Sequence, residues 1–157
     1  MRHLSIAVVY LSVILFCGCS GTGNQEEVSH FKIGQEVPMG KLFLKVDRVD
    51  RNVDFGEMSE LDSKNEAIVV HIEIENKGKS ALGFHVGNLI IHDNQGNKYN
   101  GFPLGIGNQL NVSRAISMGD RMRGPMRYFV KRGAKGLSLH YVPKNMRNKR
   151  FVIDLGQ

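Results

Sequence analysis

Between Ala67 and Glu75 the chain reads AIVVHIEIE, with Ile68, Val70, Ile72 and Ile74 on one parity and Val69, His71, Glu73 and Glu75 on the other. A period of two sends successive side chains to opposite faces, so this run predicts a strand of an antiparallel sheet with one wet face. The same period recurs in Leu42, Leu44 and Val46, in Met122, Met126 and Tyr128, in Leu137, Leu139 and Tyr141, and in Phe151, Ile153 and Leu155. Between these runs stand turn signals: Asn76-Lys77-Gly78-Lys79, Asn94-Gln95-Gly96-Asn97, Ser117-Met118-Gly119-Asp120 and Lys131 through Gly136. The second of these predicts a hairpin whose Gly takes the positive φ such turns demand. Residues 50–65, polar and acidic, read as a loop. Seven or eight short strands in one domain predict an all-β antiparallel sandwich. A length of 157 residues with 41% hydrophobic content is enough for one core and too little for two.

The first eighteen residues differ from the rest. Met1, Arg2 and His3 give a cationic start, Leu4 to Phe16 is apolar but for Ser5, Tyr10 and Ser12, and Gly18 precedes Cys19. At about 13 residues the run is too short to span a bilayer, which takes roughly 20, and it reads as an export signal. Leu15-Phe16-Cys17-Gly18-Cys19-Ser20 resembles the bacterial lipobox, which implies cleavage between Gly18 and Cys19 and lipidation of Cys19. Cys17 is excluded because Phe16 before it is too bulky for the peptidase. The alternative is an ordinary secretory signal that leaves Cys19 as a free thiol. On the lipoprotein reading, two or three acyl chains anchor the protein stably, and the exported domain keeps no thiol for a disulfide. Ser20, where Asp would favour the inner membrane, points to the outer membrane facing the periplasm in a Gram-negative host, or otherwise to the outer face of the plasma membrane. Expected boundaries are a signal over 1–18, a lipidated tether over 19–30 and the sandwich over 31–157. As a coil, the ten residues from Ser20 to Ser29 span about 17 Å.

Charge is uneven along the chain, which has a formal net charge of +6. Acids outnumber bases from Glu26 to Glu75, whereas from Arg114 to Arg150 the only acid is Asp120. Arg121, Arg123 and Arg127 share one parity and hence one sheet face, and with Lys131 and Arg132 they form a candidate anion-binding patch. The competing reading is that these bases pair with acidic strands of the same domain. A patch would suit an envelope protein, an anionic lipid or a polysaccharide. Nucleic acid is excluded by compartment and by the lack of interleaved aromatics. His71, His85 and His92 fall on neighbouring strands without a ligand spacing such as HxH, so no metal and no cofactor is expected. No nucleophile elbow, opposed carboxylate pair or phosphate loop is present, so no catalytic residue is assigned.

The order of these signals resembles the DUF4352 domains of bacterial envelope proteins. The resemblance is carried by Ile33-Gly34-Gln35 with Gly40, Ile68 through Gly78, Asp93-Asn94-Gln95-Gly96 with Tyr99, Met118-Gly119-Asp120 and Val130 through Leu137. Those domains are similar to the secreted antigen MPT63, which implies an immunoglobulin-like β-sandwich and an envelope address. It implies no catalytic residues. The expected function is a non-catalytic binding or accessory module, with a small-ligand or metal carrier as the alternative.

Overall fold

The period-two runs form strands in the computed structural model, which describes residues 26–55, 64–104, 110, 113–143 and 148–156. Among the described residues there are eleven: β1 (Glu27–Lys32), β2 (Glu36–Met39), β3 (Leu42–Arg51), β4 (Asn65–Asn76), β5 (Leu82–His85), β6 (Leu89–His92), β7 (Lys98–Pro103), β8 (Ser113–Ile116), β9 (Arg121–Lys131), β10 (Ser138–Tyr141) and β11 (Lys149–Asp154). Nine of them are joined in the order β1-β11-β10-β6-β7-β9-β4-β3-β2, and β5 pairs with β8 separately. The inward side chains of both halves, among them Leu44, Ile72, Ile91, Tyr128, Leu139 and Ile153, make one buried cluster. The long ribbon is therefore folded face to face, and the fold is an immunoglobulin-like β-sandwich.

The crossing from one layer to the other happens within β7. Its first half pairs with β6 and its second half with β9. At the junction Gly101 faces Tyr128, whose ring lies so close that a Cβ on Gly101 would come within 2.4 Å of it. The glycine thus admits a fully buried tyrosine ring where the sheet turns the corner.

Three features depart from the sequence reading. β1 starts at Glu27, inside the stretch read as tether, and it pairs with β11 in parallel, the one parallel pairing among the described strands. A parallel edge partner from the far end of the chain leaves no local pattern to read. β5 and β8 are four-residue strands that pair only with each other, too short for periodicity to reveal. Finally, β3 carries a bulge between Val46 and Arg48. Leu42, Leu44 and Val46 point inward, and beyond the bulge the inward parity switches to Val49 and Arg51.

Candidate functional site

That parity switch builds the end of the sandwich at which β3 and β9 finish. Arg51 pairs across the ladder with Ile68 and Glu66 with Val130, both core positions, so an arginine and a glutamate face the interior. Glu66 is 5% exposed. Arg51 Nη2 donates to its Oε1 and also to the Ala134 carbonyl at 3.2 Å, while the Gly133 N–H donates to the same carboxylate at 3.4 Å. Buried charge is costly unless paired and hydrogen-bonded, and here it is both.

The turn from β9 to β10 is fixed from two sides. Its Arg132 N–H donates to the Lys64 carbonyl at 2.8 Å, and its Lys135 carbonyl accepts from the Asn94 N–H at 3.0 Å. Gly133 and Gly136 adopt positive φ of 75° and 60°. The neighbouring hairpin turn is built on buried Asp93. Its carboxylate accepts from the backbone of Gln95 and Asn97, the Asn97 amide and the Tyr99 hydroxyl at 2.7–2.9 Å. Burial works to raise the Asp93 carboxyl, but these donors outweigh it and hold it at about 2.

Against this frame opens a cleft of about 690 Å³ lined by Arg51, Asn52, Glu66, Arg132, Gly133 and Lys135 among others. Asn52 has a φ of 51°, the one positive value outside glycine among the described residues. On the other side of the turn a smaller hollow of about 330 Å³ adds Asp93, Gln95 and Lys131. The cleft lining carries three bases, Arg51, Arg132 and Lys135, to one acid, Glu66. A rigid turn bearing guanidinium and ammonium groups can hold a carboxylate or phosphate by charge-assisted hydrogen bonds.

The five bases of the expected patch share the outer face and end of β9 but do not act together. Arg121 lies 3.4 Å from Glu73 and 3.3 Å from Glu75, and Arg123 Nε donates to Glu73 at 2.6 Å. Both acids come from β4 alongside, so this part of the face is paired within the domain. The Arg127 guanidinium sits over the rings of Phe55 and Phe129, at 5.3 and 4.9 Å. Only Lys131 and Arg132 reach the cleft region. Sequence reasoning missed Arg51, Asn52, Glu66 and Lys135.

The three histidines considered for metal do not converge, and among the described residues no three His, Cys, Asp or Glu side chains do. His71 Nε2 donates to Asp50 at 2.7 Å, a bond that lowers the Asp50 carboxyl. His85 Nδ1 accepts from the Gly87 N–H at 3.0 Å. His92 stacks on His140 with ring centroids 3.8 Å apart and planes 10° from parallel. Burial is the main cause that depresses both rings, His140 to about 4, aided by the bases Arg150 and Lys98.

At the opposite end of the sandwich, Met39, Leu42, Leu82, Tyr141 and Pro143 line a separate hollow of about 410 Å³. No helix among the described residues is long and apolar enough to cross a membrane. Cys19 and Gly18 lie outside the described residues.

A family model described as a domain of unknown function (DUF4352) matches residues 31–151. No curated protein sequence matches the chain. Among solved structures, the yjhA protein of Bacillus subtilis is similar over 80% of this chain and 98% of its own, with a TM-score of 0.61 at 16% identity. A candidate lipoprotein of Bacillus subtilis, ycdA, is similar over 76% of this chain and 38% of its own, with a TM-score of 0.57 at 16% identity. The secreted protein MPT63 of Mycobacterium tuberculosis matches over 80% of this chain and 96% of its own, with a TM-score of 0.57 at 12% identity. At these identities the likeness is one of fold.

Proposed function

The chain belongs to the DUF4352 family, and from the geometry of the site we propose that it is a non-catalytic envelope binding module, held to a membrane by lipid on Cys19 and binding an anionic group in the cleft beneath the β9–β10 turn. The observation that carries this reading is the rigid placement of Arg132 and Lys135 beside the Arg51–Glu66 pair, whose carboxylate is buried. The turn is already clamped, so little ordering entropy is lost when an anion enters. Topology supports the orientation: β1 begins at the end opposite the cleft, so a tether at Glu27 leaves the cleft facing away from the membrane. The signal layout before Gly18-Cys19 supports export, and a secreted protein and a candidate lipoprotein among the proteins of this fold favour the same address.

The test is titration of the Cys19→Ser chain with polyglutamate and with polyphosphate. Arg132→Ser with Lys135→Ser should weaken binding at least about tenfold, because each charge-assisted contact is worth about 1.5–3 kcal/mol. Arg121→Ser with Arg123→Ser should leave it unchanged. Added salt should weaken it. Equal binding by the cleft variant and the parent chain would remove the cleft from consideration.

A second reading, carriage of a small apolar ligand, is favoured by the hollow lined by Met39, Leu42, Leu82, Tyr141 and Pro143. Native mass spectrometry of the gently purified chain showing no added mass would count against it.

A further inference from the structure

We propose that the end of the sandwich where β1 begins is a bilayer-docking face, with Met118 and Val142 as its inserting side chains. This deepens the membrane-anchor reading and rests on it. From Cys19 to Glu27 there are eight residue steps, which reach at most about 28 Å when fully extended and average about 16 Å as a coil. An acylated Cys19 therefore keeps the start of β1 close to the headgroups, while β9, with eleven residues, extends about 35 Å along the strand direction.

The surface at that end fits such a neighbour. Among the described residues the exposed large apolar side chains are Val28, Phe102, Met118 and Val142. Three of these four belong to this end: Val28 is the second residue of β1, Met118 caps the turn between β8 and β9, and Val142 follows β10 directly. Met118 is the most exposed of all at 63%. The Met118 turn is held by the Gly119 N–H donating to the Asn76 carbonyl at 2.9 Å, and the turn after β4 beside it by the Lys77 N–H donating to the Lys41 carbonyl at 3.0 Å. Lys41 and Lys79 are exposed on the adjacent turns. The acids nearest the tether, Glu26 and Glu27, are paired with Arg150 and Lys149 at 2.9 and 3.0 Å, so they present no net negative charge to the membrane. Asp120 is the exposed acid of the Met118 turn, set against Lys41 and Lys79 on the turns beside it; apolar tips with more ammonium than carboxylate around them suit an interface in which methylenes enter the acyl boundary and ammonium groups meet phosphate.

The chain contains no tryptophan, so each introduced one reports alone. The lipidated chain is placed on vesicles containing an anionic phospholipid, with and without brominated acyl chains, carrying Met118→Trp, Val142→Trp or, at the cleft end, Gln95→Trp. Docking requires that emission at 118 and 142 shift to the blue and lose most of its intensity to the brominated chains, and that 95 do neither. Lys41→Ser with Lys79→Ser should reduce the quenching at 118. Anchored protein with no quenching at 118 and 142 overturns the proposal and leaves the anchor standing. A blue shift without quenching also overturns it, because the tips then meet protein, such as a second copy. Mass spectrometry showing Cys19 without lipid, in a chain the vesicles do not retain, removes the anchor reading itself and this proposal with it.

Discussion

The Arg51–Glu66 pair offers the sharpest test of how the cleft is held. Arg51→Met removes the cation from a carboxylate that is 5% exposed and leaves it only the Gly133 N–H at 3.4 Å; the Ala134 carbonyl also loses its donor. Stranding one buried partner costs about 3–5 kcal/mol, and because the Arg51 side chain is 22% exposed the lower end, about 3 kcal/mol, is expected. Glu66→Leu strands Arg51 less severely, since the guanidinium can turn toward water, and about 2 kcal/mol is expected. The double variant fills the site with apolar side chains at an end already lined by Ile68 and Val130, and should fall within about 1–2 kcal/mol of the parent. The coupling between the two positions is then at least about 3 kcal/mol, well beyond the 0.5 kcal/mol within which independent sites add. Urea unfolding followed by circular dichroism measures each corner of the cycle, with equal slopes required for a valid comparison. Additive losses in the double variant would falsify the claim that this ion pair closes the end of the core.

Other outcomes follow from single sites. Asp93→Ala withdraws the acceptor shared by Gln95, Asn97 and Tyr99 and should cost about 2–4 kcal/mol, read from the shift in the urea midpoint. His140 is held at about 4 in the native state against 6.5 unfolded, so the unfolded chain binds more protons between these values. Stability should therefore be complete above pH 6.5 and decline as the pH falls toward 4, by about 1–2 kcal/mol after allowing for solvent screening; His140→Gln should flatten that slope. Asn76, fully buried, donates to the carbonyls of Ser80 and Ile116 and accepts from the Gly78 N–H, and Asn76→Ala should cost about 3 kcal/mol by thermal melting. Gly101→Ala must displace the Tyr128 ring and should cost about 1–3 kcal/mol; a melting temperature equal to the parent's would contradict the contact.

Alternation made the long strands legible. Ile68 through Ile74 dictates β4, and Met122 with Met126 and Tyr128 dictates β9, because a half-buried strand writes its pattern locally. β1 was not legible, since what fixes it is Lys149–Asp154 at the far end of the chain. The arginine row was half legible: the shared parity of Arg121 and Arg123 placed them on one face, but their engagement by Glu73 and Glu75 depends on which strand lies beside β9. For the cleft there was a signal. Inward residues fall on even numbers through Val46 and on odd ones from Val49, and that change of phase is the bulge that turns Arg51 toward the core. Read as punctuation, it would have singled out Arg51; Glu66 and Lys135 become neighbours only through pairing.

The parallel run of β1 beside β11 has a mechanical meaning. The chain meets β1 at one end of the sandwich, and the β9–β10 turn stands at the other, so a pull between them is directed along the strands. The six paired positions from Glu27–Lys149 to Lys32–Asp154 would then be sheared together, not peeled one by one as in a hairpin pulled from its open end. How long the domain survives under tension is set by the rate of that concerted rupture and not by its equilibrium stability. A strand order that looks like an irregularity in an otherwise antiparallel sheet is thus the arrangement that would let the domain, if held by the chain before β1, be tugged without unzipping.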